Sequence, residues 1–333
     1  MAFGPSNTVS LGLMLVAGLA SLPAAAATLD DVRARGRLVC GVSDGLPGFS
    51  VRSPDGSWSG FDVDFCRAVA AAALGDAARV EYVPLSAVAR FDALRAGKVD
   101  LLSRNSTWTM SRDLGGLEFA GIAYYDGQGF MVHAVDGMTS ALELDGARVC
   151  VVTGTTTEEN AAAWFRDNGL KATFLRFTSR PEARMAFASN ECDVFTADAS
   201  ALAAERSVLP AAEDFVILPE IISKEPLGPV TREDDPAWTA LVRWTLYGLI
   251  NAEERGLTAS AVAKDAAPAI ALGRPAAGPL GLPEDWLAAA MAASGNYGEM
   301  FDRNLGEGSP LLIRRGVNAL WTEGGILYAP PMQ

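Results

Sequence analysis

Apolar runs of strand length alternate with helix-patterned stretches along this chain, stop, and then begin again. That double alternation narrows the fold more than any single motif. The first series runs through "RLVCGVS" (37–43), the helical "FDVDFCRAVAAAAL", the strand-like "RVEYVPL", the short helix "ARFDALRAG" closed by Gly97, and the strand-like "VDLL". The second runs through "ARVCVV", a Gly-Thr turn, the helical "EENAAAWFRDNG", "KATFLRF", "RPEARMAFASN" and "CDVFTAD". Each series is a βαβαβ unit, so the fold class is α/β, and ligands of such units sit at the carboxyl ends of the strands. Two units imply two facing sets of strand ends. Between them "GIAYYDGQGFMVHA", and after them "VILPEIISKEPLGPV", read as extended connections between two lobes. A later helix, "DDPAWTALVRWTLYGLINAEERG", places Trp238, Leu241, Val242, Leu246 and Leu249 near one face.

A chain of 333 residues, half of them hydrophobic, is long enough for two cores. Its net charge of -13, with no dense Lys/Arg run, excludes nucleic acid and anionic membrane as partners. At the start, "TVSLGLMLVAGLASLPAAAATLDD" has an apolar core, a break at Pro23 and an alanine run before the first charges. It reads as a secretory signal, 1–27, cleaved near Ala27, although the usual positive residues are missing between Met1 and Ser10. No later segment has the roughly 20 apolar residues that a bilayer span needs. The mature protein is expected to be exported and soluble. Cys40, Cys66, Cys150 and Cys192 are an even number for an oxidising compartment, and their spacings fit neither CxxC pairs nor zinc-ligand patterns. Disulfides are expected, and sequence alone permits three pairings.

Nucleophilic and metal chemistry find little support. His133, the single histidine, lies in an apolar strand-like run with no GxSxG elbow near any serine, and reads as a partly exposed strand residue. "GTTTE" (154–158) has no lysine and no second spaced glycine, so it is a turn and helix cap rather than a phosphate loop. Asp62/Asp64 and Glu158/Glu159 read as solvated helix starts, and Asp234/Asp235 as a loop. No catalytic residue, cofactor or metal is expected. What remains is a vocabulary for binding. "SRNSTWTMSR" offers hydroxyls, an amide and two guanidiniums at the end of a strand, and the second unit offers Thr155, Thr156 and Asp198. An arginine fork takes a carboxylate, a helix start completes its shell, and an aspartate opposite receives an ammonium. A zwitterion of amino-acid size fits.

"GFDVDFCRAVAAA" resembles the signature of the bacterial polar amino-acid periplasmic binding proteins, Gly-aromatic-Asp-aliphatic-Asp-apolar at the helix after the first loop. The spacing from "VDLLSRNSTWTMSR" through "GTTTE" to "CDVFTAD" is similar too, and "ISKEPLGP", "NYGEMFDRN" and "LYAPP" resemble the general L-amino-acid-binding subfamily of ABC importers. The resemblance implies a two-lobed periplasmic binding protein fold of type II. The first lobe would comprise 28–124 and be completed by 221–333 with a C-terminal helical extension, and the second would comprise 125–220. It implies that Arg112 clamps the ligand α-carboxylate, that Thr107 and Thr156 bind the same group, and that Asp198 accepts from the α-ammonium. Asn105 and Arg104 fall where the family has ligand-proximal contacts. The first loop departs from the family, with Leu46 at about the place of a stacking aromatic and Phe49 just after it. With two lobes in view, within-lobe bridges Cys40–Cys66 and Cys150–Cys192 leave closure free. The expected protein is a monomeric, non-enzymatic receptor that hands an L-amino acid to membrane permease subunits, with breadth extending to Glu, Gln, Asp and Asn. The alternatives are a secreted enzyme of the cyclohexadienyl dehydratase kind and a ligand-presenting sensor.

Overall fold

The computed structural model describes residues 28–333, with Met1, Ala2 and Gly4; the expected signal, 1–27, lies almost wholly outside the described residues. The two sequence units become two sheets. The first has six strands, in the order Val80–Leu85, Leu38–Ser43, Leu101–Thr107, Glu225–Arg232 and Leu117–Phe119, with Tyr124–Asp126 also paired to Glu225–Arg232. The second has five, in the order Ala172–Phe177, Ala147–Val152, Val194–Asp198, Gln128–His133 and Phe215–Ile217. In each, the three strands of the βαβαβ unit are parallel, and the strand from a connecting segment lies antiparallel beside the third. The chain passes from one sheet to the other between Asp126 and Gln128, and returns between Ile217 and Glu225.

The third strand does not stop at "VDLL". It runs from Leu101 to Thr107 with every residue buried. The returning strand makes this extension possible, since Leu227 lies opposite Thr107 and Gly228 opposite Ser106. That pairing satisfies backbone groups that a polar segment would otherwise expose to water.

Helix Phe61–Leu74 starts at Gly60, whose φ is 132°, and a Cβ there would lie 2.1 Å from the Phe49 carbonyl oxygen. Only glycine fits at this approach of loop to helix, which accounts for the first residue of the Gly-Phe-Asp signature. The two aspartates that follow are not solvated. Asp62 and Asp64 are both buried. Asp64 is enclosed by Arg67, Arg303 and Asn304, so a C-terminal helix closes over it. Helix Pro236–Glu254 starts with Asp235 accepting from the Trp238 N–H at 2.9 Å, so Asp235 is a helix cap rather than a loop residue. Its expected apolar face, Trp238, Leu241, Val242, Leu246 and Leu249, is fully buried. His133 is buried as well, between Phe187 and Phe215, because Phe215–Ile217 pairs outside its strand and covers it.

The C-terminal helices complete the first lobe. Trp286–Ser294 packs on Phe61–Leu74, and Tyr297–Asn304 on Pro236–Glu254. The Tyr297 hydroxyl donates to the Ala123 carbonyl at 2.8 Å. The Asn318 side chain accepts from the Tyr125 N–H at 2.7 Å and donates to its carbonyl at 2.9 Å. The last part of the chain is therefore fastened to the first connecting strand.

Cys40 is bonded to Cys66 and Cys150 to Cys192, with sequence separations of 26 and 42. Each bridge closes within one sheet's own unit, Cys40–Cys66 from strand to helix and Cys150–Cys192 from strand to the loop before Val194–Asp198. From loop-closure entropy, reduction of either should lower the unfolding free energy by roughly 3–4 kcal/mol. Denaturant titrations with and without reductant measure it, and an unchanged midpoint would exclude a stabilising role for the bridges.

Candidate functional site: a cleft between the two sheets

The strand ends of the two sheets face each other across a cleft. Arg90, Arg104, Asn105, Thr107 and Arg112 line it from one side, and Thr155, Thr156, Arg180 and Asp198 from the other. The space among these side chains, solvent at its mouth included, is about 430 Å³.

Arg112 is held by the short helix Met110–Asp113. The Thr109 hydroxyl caps that helix by accepting from the Arg112 N–H at 3.3 Å, and Arg112 Nη1 donates to the Thr107 carbonyl at 2.8 Å. Its guanidinium lies over the Phe91 ring, 5.1 Å from the centroid. No ion pair with Asp113 is formed, so the guanidinium faces the cleft and not its chain neighbour. Burial lowers its pKa, and the nearby charges of Glu225 and Asp198 oppose that.

Asp198 ends the strand Val194–Asp198 at the N-cap position of helix Ala199–Ser207, yet its carboxylate makes no capping hydrogen bond. It is left to the cleft. Burial raises its pKa well above the ordinary carboxylate range, and the negative charges of Asp126 and Glu225 add to the rise. Asp126 is itself pushed up to about 6 by burial, against hydrogen bonds from Ser200 and Gly127. A buried cationic group would relieve this set of acids.

The Gly154–Thr157 turn brings in the second lobe's hydroxyls. Thr155 Oγ1 donates to the Val152 carbonyl at 2.7 Å, and Thr156 precedes helix Thr157–Asp167 without capping it through its side chain. The Thr156 hydroxyl goes instead to Glu225, at 3.0 Å, and the Thr107 hydroxyl reaches the same oxygen at 2.5 Å. Each hydroxyl has one proton. With that proton on Glu225, neither Thr107 nor Thr156 has one for a ligand carboxylate, which alters the role expected of their side chains. Among the described residues no His, Cys, Asp and Glu side chains converge as a metal site. Among them, no helix is long and apolar enough to cross a membrane.

Residues 38–256 match the bacterial extracellular solute-binding proteins, family 3. The chain belongs to that family. It is 49% identical over 331 residues to the glutamate/glutamine/aspartate/asparagine-binding protein BztA of Rhodobacter capsulatus, covering 97% of this chain and 98% of that one. It is also 49% identical to the general L-amino acid-binding periplasmic protein AapJ of Rhizobium johnstonii, over 93% of this chain and 94% of that one. Among solved structures, a periplasmic binding protein of an ABC transporter from Brucella ovis with glutathione bound superposes with a TM-score of 0.90. It is 48% identical and covers 93% of this chain and 100% of that one.

In this family 3 protein the cleft gathers six of the eight residues expected at the ligand site: Arg112, Thr107, Asn105, Thr156, Asp198 and Arg104. Leu46 and Phe49 do not reach it. Leu46 and Ser50 pair across a tight turn that tucks Leu46 wholly into the core, and Phe49 packs edge-on against Phe61 and Tyr124. Trp58 and Trp108 are also scaffold, against Tyr82 and Phe119. Sequence reading missed Glu225, Arg90 and Arg180. Glu225 follows Lys224 at the head of an otherwise apolar stretch, "KEPLGPV", and Arg180 is a cation in a first helical turn, where the dipole favours an acid.

Asp62 supports the cleft from behind, accepting from the Ser103 hydroxyl and the Asn105 N–H at 3.3 Å each. Burial, opposed by those bonds and by Arg104 and Arg180, pushes its pKa up to about 7. A raised carboxyl contributes stability that is present below its unfolded pKa and is lost as pH rises through the folded value. Asp62→Asn should therefore melt like the wild type near pH 4 and roughly 5 °C above it at pH 8. Calorimetric melting across that range checks this; equal melting temperatures at pH 8 would mean that Asp62 is not held protonated.

Proposed function

We propose that this chain is the solute-binding component of an ABC importer for L-amino acids, of broad range that includes Glu, Gln, Asp and Asn. One observation carries the reading. Arg112 from the first lobe and Asp198 from the second share one cleft, and neither is spent on its own helix or sequence neighbour. An α-carboxylate bridges Arg112 and the N–H groups at the start of helix Thr157–Asp167, and an α-ammonium meets Asp198. The family, and relatives named for amino-acid binding at 49% identity, support the same assignment.

The division of labour follows from the two sheets. Residues 28–126 and 221–333 form the lobe that carries Arg112, and 128–220 the lobe that carries Asp198, the first crossing falling two residues later than the expected boundary at 124. A ligand that touches both binds the closed arrangement better than the open one and so shifts the population toward closure. The closed, loaded monomer is then presented to permease subunits. We place the mature protein in the periplasm after removal of 1–27, and we assign no catalytic step to it, since relatives that cover nearly the whole chain are named as binding proteins. Assay for turnover of cyclic amino-acid precursors tests that last assignment.

Two measurements test the site. Arg112→Ala should weaken L-amino-acid binding by about 100-fold or more, because the ligand carboxylate would be desolvated without its partner. Wild-type affinity in that variant would move the anchor elsewhere. The ammonium should also draw Asp198 into its charged form. Between the ordinary carboxylate pKa and its raised value, binding then expels a proton, and affinity rises with pH by at most about tenfold per unit. Titration calorimetry in buffers of different ionisation enthalpy reads that proton, and its absence in wild type would take Asp198 out of the ammonium site.

A further inference from the structure

We infer that Arg180, together with Arg90 and Arg104, forms a second anion pole in the cleft, and that this pole takes a carboxylate on the ligand's side chain. The inference rests on the amino-acid reading of the cleft and goes beyond it by assigning the residues that choose the side chain.

Four guanidiniums line this one cleft. Arg90 and Arg112 lie over the same Phe91 ring, 4.4 and 5.1 Å from its centroid, while Arg104 and Arg180 act on each other's charge; Arg90 and Arg104 are enclosed to 2% exposure and Arg180 to 8%. A guanidinium has five N–H groups. Arg90 uses one on the Ala87 carbonyl at 2.8 Å, Arg104 one on the Leu85 carbonyl at 2.9 Å, and Arg180 one on the Ser43 hydroxyl at 3.4 Å. Arg90 Nε is fully buried with no partner. Among the described residues no acid forms an ion pair with the cluster closer than 3.8 Å. Asp44 stands at that distance from Arg104 with a third of its side chain in water, Glu205 is paired with Arg184 at 2.6 Å while also facing Arg180, Asp62 accepts from Ser103 and Asn105, and Asp198, which faces Arg90 and Arg180, is the group assigned to the ligand ammonium.

Arg180 opens helix Arg180–Ala188 immediately after its Ser179 cap, where the helix dipole repels a cation. Burial, and then Arg180, press the Arg104 pKa down to about 9. Buried like charges with spare donors are costly until an anion arrives. A dicarboxylic amino acid supplies one. Its α-carboxylate goes to Arg112, its ammonium to Asp198 and its distal carboxylate to the second pole, whose members come from both lobes. A lysine or arginine side chain would face three like charges and be rejected, while an amide would lend only its carbonyl oxygen.

The test is titration calorimetry of wild type, Arg180→Met and Arg90→Met with L-glutamate, L-glutamine, L-leucine and L-lysine. Wild type should bind glutamate at least tenfold more tightly than leucine, and lysine not measurably. Each variant should lose at least about 20-fold for glutamate and less than about threefold for leucine. The empty variants should also melt above the empty wild type, since a costly buried cation has been removed. Equal loss for glutamate and leucine, or no loss for either, overturns the second pole and leaves the amino-acid site standing. Failure of wild type to bind any of the four overturns the amino-acid reading and this inference with it. Two variants in different lobes keep the test open if one of them does not fold.

Discussion

The carboxylate of Glu225 is where the two lobes meet. One of its oxygens accepts from Thr107 of the first sheet and from Thr156 of the second unit, and the other accepts from Asn160 at 2.7 Å and Ser223 at 2.6 Å. The residue lies on the strand that returns from the second sheet to the first, and it is fully buried. Hydrogen bonds to a charged acceptor are worth about 1.5–3 kcal/mol each when a partner is lost. A fixed internal anion thus ties the two units together. Because Glu225 holds the Thr107 and Thr156 protons, the proposed binding mode leaves a ligand carboxylate to Arg112 and backbone N–H groups.

The same cleft concentrates charge that folding would avoid. Asp198 and Asp126 are raised, and Arg90, Arg104 and Arg112 lowered, and in every case burial is the first cause. Each group is pushed toward neutrality by its enclosure, and under the proposed binding mode the complementary charges of a zwitterion relieve them. The cost of enclosing these groups is borne by the rest of the fold, whose core includes Trp238, Trp286 and Phe301. In that proposal binding and closure are one event, because the relief needs both walls of the cleft at once.

The architecture was legible because strands and helices here announce themselves locally. "ARVCVV" and "CDVFTAD" are apolar runs of strand length, and Asp235-Pro236 or Gly75 punctuate helices by cap chemistry. Arg112 and Asp198 were picked out by resemblance to the family from among the polar residues at and just past strand ends, where α/β ligands bind, and the structure brings both to one cleft. What escaped depends on partners distant in sequence. The strand at 101–107 lengthens only because Glu225–Arg232 lies beside it. Asp64 is buried by Arg303 and Asn304, about 240 positions away, and Leu46 turns inward through a bridge that composition does not show. Arg90 and Arg180 look like ordinary helix residues until the two sheets bring them to one cleft.

The place where the lobes pivot follows from what is tied down. Asn318 holds both backbone groups of Tyr125, and Tyr297 holds Ala123, so the first connecting strand moves with the first lobe as far as Tyr125. Gln128 already belongs to the second sheet. Asp126 still pairs with Glu225 in the first sheet, so the crossing itself falls at Gly127. At Gly127 a Cβ would lie 2.2 Å from Ile221 and 2.9 Å from the Ser223 carbonyl oxygen, so the two connections run against each other at that residue. A side chain there would drive the crossings apart and lengthen the lever between Arg112 and Asp198. The residues after 256, beyond the family match, thereby hold the first-lobe end of this crossing without lining the cleft.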